Sequence, residues 1–533
     1  MPSAEEFQAL QQALAQATQR SETLFGELRI VRSERDLLQE QLNKFKRQLY
    51  AAKSEVGEIG ATHQKDMFFN EAEELGATAK PAAEEGGDNK TSDVPGHTRA
   101  KRGRKPLDPA LPREIVRHEL PESERVCPHD GAALQEIGVE ATEQLDIIPQ
   151  QVRVIRHERV KYACPCCDAG LRLAAKPEQV IPKGLFTEGL LAWVITSKYM
   201  DGLPLYRQAA LLGRFGGTDL SRNTMAASVV RVGQAVQPII NLLRDRLLEA
   251  PLIYGDETEI QVLKEAGRKA QTKSYMWAQM TEHSGAQGTG PPIRLFAYTP
   301  SRSTEASLRL YAGASPGSVL MTDGYEPYNQ VARTNKLVHL ACWAHCRRYF
   351  FDAVQALPKD KRSPEQLAVR FMDLIAKLYE VESFARNEGL DANALTLRRQ
   401  EQSVPILKKI EALLLANLHA VAPKTLLGQA LHYAAGQWSK LERFVLDGKH
   451  PIDNNACENS IRPFVVGRRN WLFADTVAGA NASANLYSLL QTCKANGIDG
   501  YRYLRALLVE LPKARTADDF EALLPWSIGT GRT

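Results

Sequence analysis

The sequence predicts a multidomain α/β protein, and three observations carry that expectation. A long heptad pattern opens the chain, a cluster of cysteines follows it, and a run of strands then gives way to helices before an acidic segment returns. At roughly 100–200 residues per domain, 533 residues correspond to about three to five structural units. Hydrophobic residues make up 44% and charged residues 24%, which suits a chain with a real core. No apolar run approaches the ~18 residues of a membrane span, and the polar N-terminus has no signal-peptide core. No membrane association and a cytoplasmic location are therefore expected. The net charge of +4 decides nothing by itself; its distribution says more.

Residues 1–55 read as a coiled coil. Leu10, Ala17, Leu24, Val31, Leu38 and Phe45 repeat every seventh position, and Leu14, Ser21, Leu28, Arg35, Leu42 and Leu49 follow four residues after each. A seam of this length suits association with a second copy, so a homo-oligomer is expected. Residues 56–106 read as a disordered linker, with acidic residues gathered in Glu71–Asp88. It ends in a basic arm that holds Arg102, Gly103, Arg104 and Lys105. A glycine between arginines can lie flat in a narrow minor groove, so Arg102, Arg104 and Lys105 are candidate DNA contacts.

Residues 107–173 read as a zinc ribbon. Four of the eight cysteines fall here, namely Cys127, Cys164, Cys166 and Cys167. Without a secretory signal, such clustering favours a metal over disulfides. Val152–His157 and Arg159–Ala163 read as strands between two ligand-bearing turns. The Cys164–Cys167 spacing fits tetrahedral Zn²⁺. Cys127, Cys164 and Cys167 are then ligands, with Asp130, or His129 beside it, as the fourth.

Residues 174–250 read as helical. Ser221 is a good N-cap for a helix that begins with Arg222, and a helix-turn-helix reader is one fit for that segment. Residues 251–352 switch to strands at Leu252–Leu263, Ser274–Met280, Ile293–Thr299, Ser318–Thr322 and Lys336–Leu340, with a helix at Thr304–Leu310. Residues 353–450 read as a helical insertion. Residues 451–479 return with Asp453, Asn454 and Glu458, and residues 480–533 read as C-terminal helices.

Along this order the chain resembles the large transposases of the insertion sequence 66 family. The resemblance rests on Gly-Arg-Lys-Pro-Leu at 103–107, the Cys127 turn, Lys-Tyr-Ala-Cys at 161–164, Ser-Lys-Tyr-Met at 197–200 and Leu-Pro-Leu-Tyr-Arg-Gln at 203–208. It continues through Asp-Glu-Thr at 256–258, Thr-Asp-Gly-Tyr at 322–325 and Cys-Trp-Ala-His at 342–345. It closes with Asn-Asn-Ala-Cys-Glu-Asn-Ser-Ile-Arg-Pro at 454–463, Gly-Arg-Arg-Asn-Trp-Leu-Phe at 467–473 and Lys-Ala-Asn-Gly at 494–497. One departure stands out: the family's first zinc turn commonly reads Cys-x-x-Cys, and here the second position is Asp130.

The resemblance implies an RNase-H-like catalytic core divided between 251–352 and 451–479, a DDE active site using Mg²⁺ (or Mn²⁺), and small accessory proteins encoded beside the transposase. Asp256, Asp323 and Glu458 are the expected metal ligands and catalytic residues. Strand cleavage needs one oxygen activated and another stabilised at the same phosphorus, and carboxylates that gather hard cations do both. Strand alternation puts Glu257 and Glu259 on the face opposite Asp256, so they are expected not to ligate. Asp453 stands at a helix mouth, where such residues cap, and Glu458 lies one turn inside. Cys342 and His345 form a Cys-x-x-His just after a strand; a second zinc pair is one reading, but two further ligands are lacking nearby, so a packed turn touching the floor of the site is the expectation. Arg462, Arg468 and Arg469 suit phosphate contacts on bound DNA.

The expected function is cleavage of the ends of a bacterial insertion element and their transfer into target DNA. An RNase-H-like nuclease without joining activity and a non-catalytic DNA-binding regulator are the other two readings. The heptad reading is tested by sedimentation. The chain lacking residues 1–55 should run as a smaller assembly than the full chain at equal concentration; an unchanged mass per assembly would show that the seam does not associate.

Overall fold

The computed structural model describes residues 151–162, 172–216, 220–358 and 362–528 continuously, with scattered positions before 151. Cys127, His129, Asp130, Cys164, Cys166 and Cys167 of the expected zinc ribbon lie outside the described residues, as do Arg102, Arg104 and Lys105 of the basic arm. The chain divides into two compact units, one spanning Lys80–Arg153 and the other the remainder. In the first, the described stretch 113–118 is exposed and irregular. In the second, described positions between 16 and 42 are helical, and Leu24, Val31 and Leu38 are 61%, 62% and 63% exposed. Among the described residues no helix is long and apolar enough to cross a membrane.

A two-stranded ribbon pairs β1 (Lys161–Tyr162) with β2 (Arg172–Leu173). The strand expected at Val152–His157 is absent; those residues are irregular and mostly exposed. Their β-branched pattern finds no partner backbone among the described residues, and β-propensity without pairing does not make a strand. In the segment expected to be helical from 174, the first helix is α1 (Glu188–Tyr199), which Thr187 caps by accepting from the Leu190 amide. Three more follow: α2 (Leu205–Arg214), α3 (Arg222–Ala235) and α4 (Gln237–Leu248). Ser221 caps α3 as its type suggests.

The centre is a six-stranded mixed sheet. It contains β3 (Leu252–Lys264), β4 (Lys273–Thr281), β5 (Ile293–Thr299), β6 (Val319–Thr322) and β7 (Val338–Ala341), ordered β5-β4-β3-β6-β7. The first three strands are antiparallel, whereas β6 runs parallel to β3 and β7 parallel to β6. A short β8 (Ala474–Thr476) pairs with the far end of β3. Helices α5 (Thr304–Leu310) and α6 (Glu326–Asn335) link these strands. Lys336, expected in a strand, instead ends α6 in the left-handed region at φ 55°.

From β7 the chain enters α7 (Trp343–Ala356) and then the helical insertion, α8 (Leu367–Asn387), α9 (Ala392–Arg398), α10 (Val404–Asn417) and α11 (Leu426–Leu441). The insertion's core is continuous with the sheet edge. Ala341, Trp343, Cys346 and Phe350 bury against Phe371, Ile375, Leu407, Leu431 and Phe444. Phe350 and Phe371 stack at 4.4 Å. Arg399, 1% exposed, donates to both oxygens of Glu382 and to the carbonyls of Phe444, Asp447 and His450, which locks the end of α9 to the returning segment.

The chain returns as α12 (Asn455–Trp471) and α13 (Val477–Ala495), and closes with α14 (Gly500–Glu510) and α15 (Ala517–Ala522). Helix α13 packs directly on the sheet. The Ser488 hydroxyl accepts from the Phe296 amide at 2.8 Å, and Thr492 accepts from Arg294 N at 3.1 Å and donates to Arg294 O at 3.0 Å. These two hydroxyls satisfy backbone groups of β5, an edge strand with a free side. Ser488→Ala strands a buried amide and should cost about 1–3 kcal/mol. The thermal midpoint of the full chain should fall; an unchanged midpoint would mean that the edge amide finds another partner.

Candidate active site

Each expected carboxylate is placed by a different element. Asp256 lies on β3 in the central strand pair, opposite Ala278. Asp323 directly follows β6, the parallel neighbour of β3, so the sheet brings the two aspartates to adjacent strands. Asp323 Oδ1 accepts from the Tyr325 amide at 2.9 Å, a local turn that fixes its carboxyl. Glu458 sits on the fourth residue of α12 and is 7% exposed.

What carries α12 to β3 is Asn454. Its side chain donates to the Gly255 carbonyl at 3.0 Å, one residue before Asp256. Its own amide donates to Cys342 Sγ at 3.2 Å, and the Trp343 amide donates to Ile452 O at 3.1 Å. The starts of α7 and α12 are thus fastened to each other and to the strand. Gly255 is required here, since a Cβ would lie 2.0 Å from the Tyr311 hydroxyl. Gly324 leaves similar room for Tyr433 of α11, whose ring a Cβ would meet at 2.7 Å, so the insertion reaches the loop after Asp323.

Burial pushes the Asp256 carboxyl well above the usual carboxylate range, and the charges of Glu257, Glu458 and Asp323 push it further. The Glu257 amide, donating to Asp256 Oδ1 at 2.9 Å, opposes this. The carboxylates therefore form one like-charged cluster. Glu257 is a neighbour with a different task. Its side chain is 2% exposed and accepts from Arg302 and from the Tyr328 hydroxyl, on the α5–α6 face of the sheet. Burial and Asp323 raise it to about 7, against the pull of Arg302. Arg302 lies 3.6 Å from the Tyr325 ring centroid, so this ion pair buttresses the turn that holds Asp323. Glu259 pairs with Lys273 at the surface.

Asp453 is occupied by structure. Its Oδ1 accepts from the Asn455 amide at 3.1 Å, and its Oδ2 accepts from Tyr379 at 3.0 Å and from the Asn455 side chain at 2.9 Å. Of the basic candidates on α12, Arg462 and Arg469 are exposed, while Arg468 is partly buried and donates to Thr258 Oγ1 at 3.4 Å. The turn at Cys342–His345 reaches Glu458. His345 Nδ1 is 3.4 Å from Glu458 Oε1. Among the described residues, Cys342, His345 and Glu458 are the one group of three metal-capable side chains whose ligand atoms all lie within 4.8 Å of one another. The signal in the sequence was Cys-x-x-His at a strand end, but nothing there places Glu458 beside it.

Comparison with known proteins gives this arrangement a class. Residues 183–482 match the family described as "Transposase IS66 family". Residues 124–168 match the zinc-finger binding domain of transposase IS66, 488–526 the IS66 C-terminal element, and 37–116 "Transposase C of IS166 homeodomain". Three proteins of Sinorhizobium fredii (strain NBRC 101917 / NGR234) are similar along most of their length. The uncharacterized protein y4qI is 34% identical over 449 residues, covering 82% of this chain and 81% of that one. The uncharacterized proteins y4jD and y4hP are 33% and 29% identical over 427 and 503 residues, covering 78% and 92% of this chain and 81% and 88% of theirs. These matches define a transposase, an enzyme that acts on DNA. The chain belongs to the IS66 family of transposases.

The charge cluster has a testable sign. A carboxyl whose folded pKa lies above its unfolded value lowers stability as pH rises through the folded pKa, and has no effect below about pH 3.9, where both states are protonated. Asn mimics the protonated form. In chelator, Asp256→Asn should therefore raise the thermal midpoint at neutral pH, with the gain narrowing toward about pH 4. A variant less stable than wild type at neutral pH would show that the cluster is not repulsive.

Proposed function

We propose that this transposase cuts element ends and joins them to target DNA at a DDE site formed by Asp256, Asp323 and Glu458. The single observation that carries the reading is the like-charged cluster around Asp256, which gathers carboxylates from β3, β6 and α12 with no basic side chain among its strongest influences. Glu458 Oε1 adds to it, being buried without a hydrogen-bond partner among the described residues. Such a set fits hard divalent cations of the Mg²⁺ or Mn²⁺ kind, which take carboxylate oxygens. Bound there, two such ions would supply a nucleophilic oxygen and stabilise the leaving oxygen of an in-line displacement.

The sheet order β5-β4-β3-β6-β7, three antiparallel strands followed by two parallel ones, supports an RNase-H-like core for this chemistry. The chain's own residues then have separate tasks. Asp256 on β3 and Asp323 in the turn after β6 define one side of the site. Glu458 reaches in from α12, held at that distance by Asn454 on Gly255. Glu257 and Arg302 keep the Asp323 turn in place. Arg462 shares the Glu458 face one turn further on and, with Arg469, offers phosphate contacts to a bound strand. Arg468 adds its charge while bonded to Thr258.

The zinc-finger match over residues 124–168 supports Zn²⁺ held by Cys127, Cys164 and Cys167, with Asp130 or His129 as fourth ligand. Arg102, Arg104 and Lys105 contact DNA in this reading. The exposed Leu24, Val31 and Leu38 support pairing of the N-terminal helix with a second copy. Accessory proteins of the same element complete the partners.

The test uses a labelled element-end duplex, a target plasmid and Mg²⁺. Wild type should give joined product. Glu458→Gln and Asp256→Asn should abolish cleavage and joining, a loss of at least about 10³-fold in rate if the trio carries the charge stabilisation, while duplex binding survives. Asp453→Asn should retain measurable chemistry. Nicks without joining would make the protein a nuclease, binding alone a regulator, and a dead Asp453→Asn beside an active Glu458→Gln would require the trio to be redrawn.

A further inference from the structure

We propose that Cys342, His345 and Glu458 form a second metal site, which takes a borderline-soft ion of the zinc class and shares Glu458 with the carboxylate trio. The site is built by two helix starts. Cys342 stands at the N-cap position of α7 and His345 lies three residues on, and their ligand atoms converge on Glu458. Glu458 approaches from the first turn of α12, and the Trp343–Ile452 and Asn454–Cys342 bonds set the two helices in register.

The geometry separates coordination from an ordinary polar contact. His345 Nδ1 and Glu458 Oε1 are 3.4 Å apart, yet each is buried without a hydrogen-bond partner among the described residues. That distance suits two ligands of one ion better than a donor and acceptor. Nitrogen and oxygen at about 2.0–2.2 Å from a tetrahedral zinc stand about 3.3–3.5 Å apart. A zinc-bound sulfur at about 2.3 Å stands about 3.6 Å from its neighbours, and the three atoms here all lie within 4.8 Å of one another.

The donor set has the chemistry to choose such an ion. Sulfur and imidazole favour zinc over magnesium, and three protein ligands leave one position open. The Asn454 amide on Cys342 Sγ is the kind of outer contact that supports a thiolate ligand. On binding, the Cys342 thiol gives up its proton to solvent and the sulfur lone pair goes to the metal; nothing is oxidised or reduced. A zinc ion here engages Glu458 Oε1 and draws the carboxylate from the trio, so zinc should oppose Mg²⁺-dependent cleavage. That consequence rests on the proposed function; the binding itself does not.

The experiment compares full-length wild type with Cys342→Ala and His345→Asn, each checked for folding by its melting curve. After loading with Zn²⁺ and removal of excess, wild type should hold one zinc per chain more than either variant. With Co²⁺ in its place, the thiolate-to-metal absorption should be correspondingly stronger in wild type. If Cys342→Ala fails to fold, His345→Asn carries the comparison. It keeps a donor near the Nδ1 position, so a hydrogen-bonding role for His345 would leave zinc content unchanged. Equal zinc contents in wild type and His345→Asn overturn the site. In cleavage assays the zinc concentration that halves activity should rise at least about tenfold in the variants, and equal sensitivity overturns the sharing of Glu458. Wild type that binds the extra zinc but never cleaves would count against the trio and leave the zinc site standing.

Discussion

The carboxyls of Glu257, Glu458 and Asp323 all act with the same sign on the buried Asp256 carboxyl, and rigid elements on either side hold these groups in place. Asp256 shows the strain most directly, its carboxyl pushed up by burial and by three acidic neighbours. Such a cluster persists only if rigid elements over-determine the positions of its members. Here the parallel pair β3–β6 supplies two of them and the hydrogen bond from Asn454 to Gly255 supplies the third. The unfavourable charge is offset by burial elsewhere, above all in the apolar core shared by α7 and the insertion.

The insertion has a mechanical part in this. It separates β7 from α12 by about a hundred residues, yet the two ends meet again within one hydrogen bond, Trp343 to Ile452. Trp343 also donates its indole N–H to Leu441 O at 2.8 Å, and Arg399 ties the end of α9 to the segment that leads back. A buried guanidinium with both a carboxylate and three carbonyls to satisfy it tolerates little displacement. Tyr433 of α11 then closes over Gly324 beside Asp323. The insertion is therefore a scaffold for the return of Glu458, with one helix at the edge of the site.

Two carboxylates next to each other in sequence illustrate how environment assigns roles. Asp256 and Glu257 point to opposite faces of β3. Glu257 finds Arg302 and Tyr328 and becomes a structural ion pair. Asp256 faces α12 and finds Glu458, a second anion. The same logic separates Asp453, bonded to Tyr379 and Asn455, from Glu458, whose Oε1 accepts no hydrogen bond among the described residues.

Local patterns in the chain were enough to give the strands at 252–264, 273–281 and 293–299 within a residue or two, the helix at Thr304–Leu310, the Ser221 cap and the opposed faces of Asp256 and Glu257. Each of these depends on neighbours a few positions away, where periodicity and capping chemistry operate. The strand expected at Val152–His157 failed for the complementary reason, since a strand exists only where another strand pairs with it. Likewise nothing local to residues 477–495 shows that Ser488 and Thr492 complete the edge of a strand nearly two hundred residues earlier. The sequence alone determined which residue types could do the chemistry and, through its motifs, the family. Tertiary structure alone decided that His345 and Cys342 would meet Glu458, because that contact depends on how two helix starts, about 110 residues apart, are fastened to one strand.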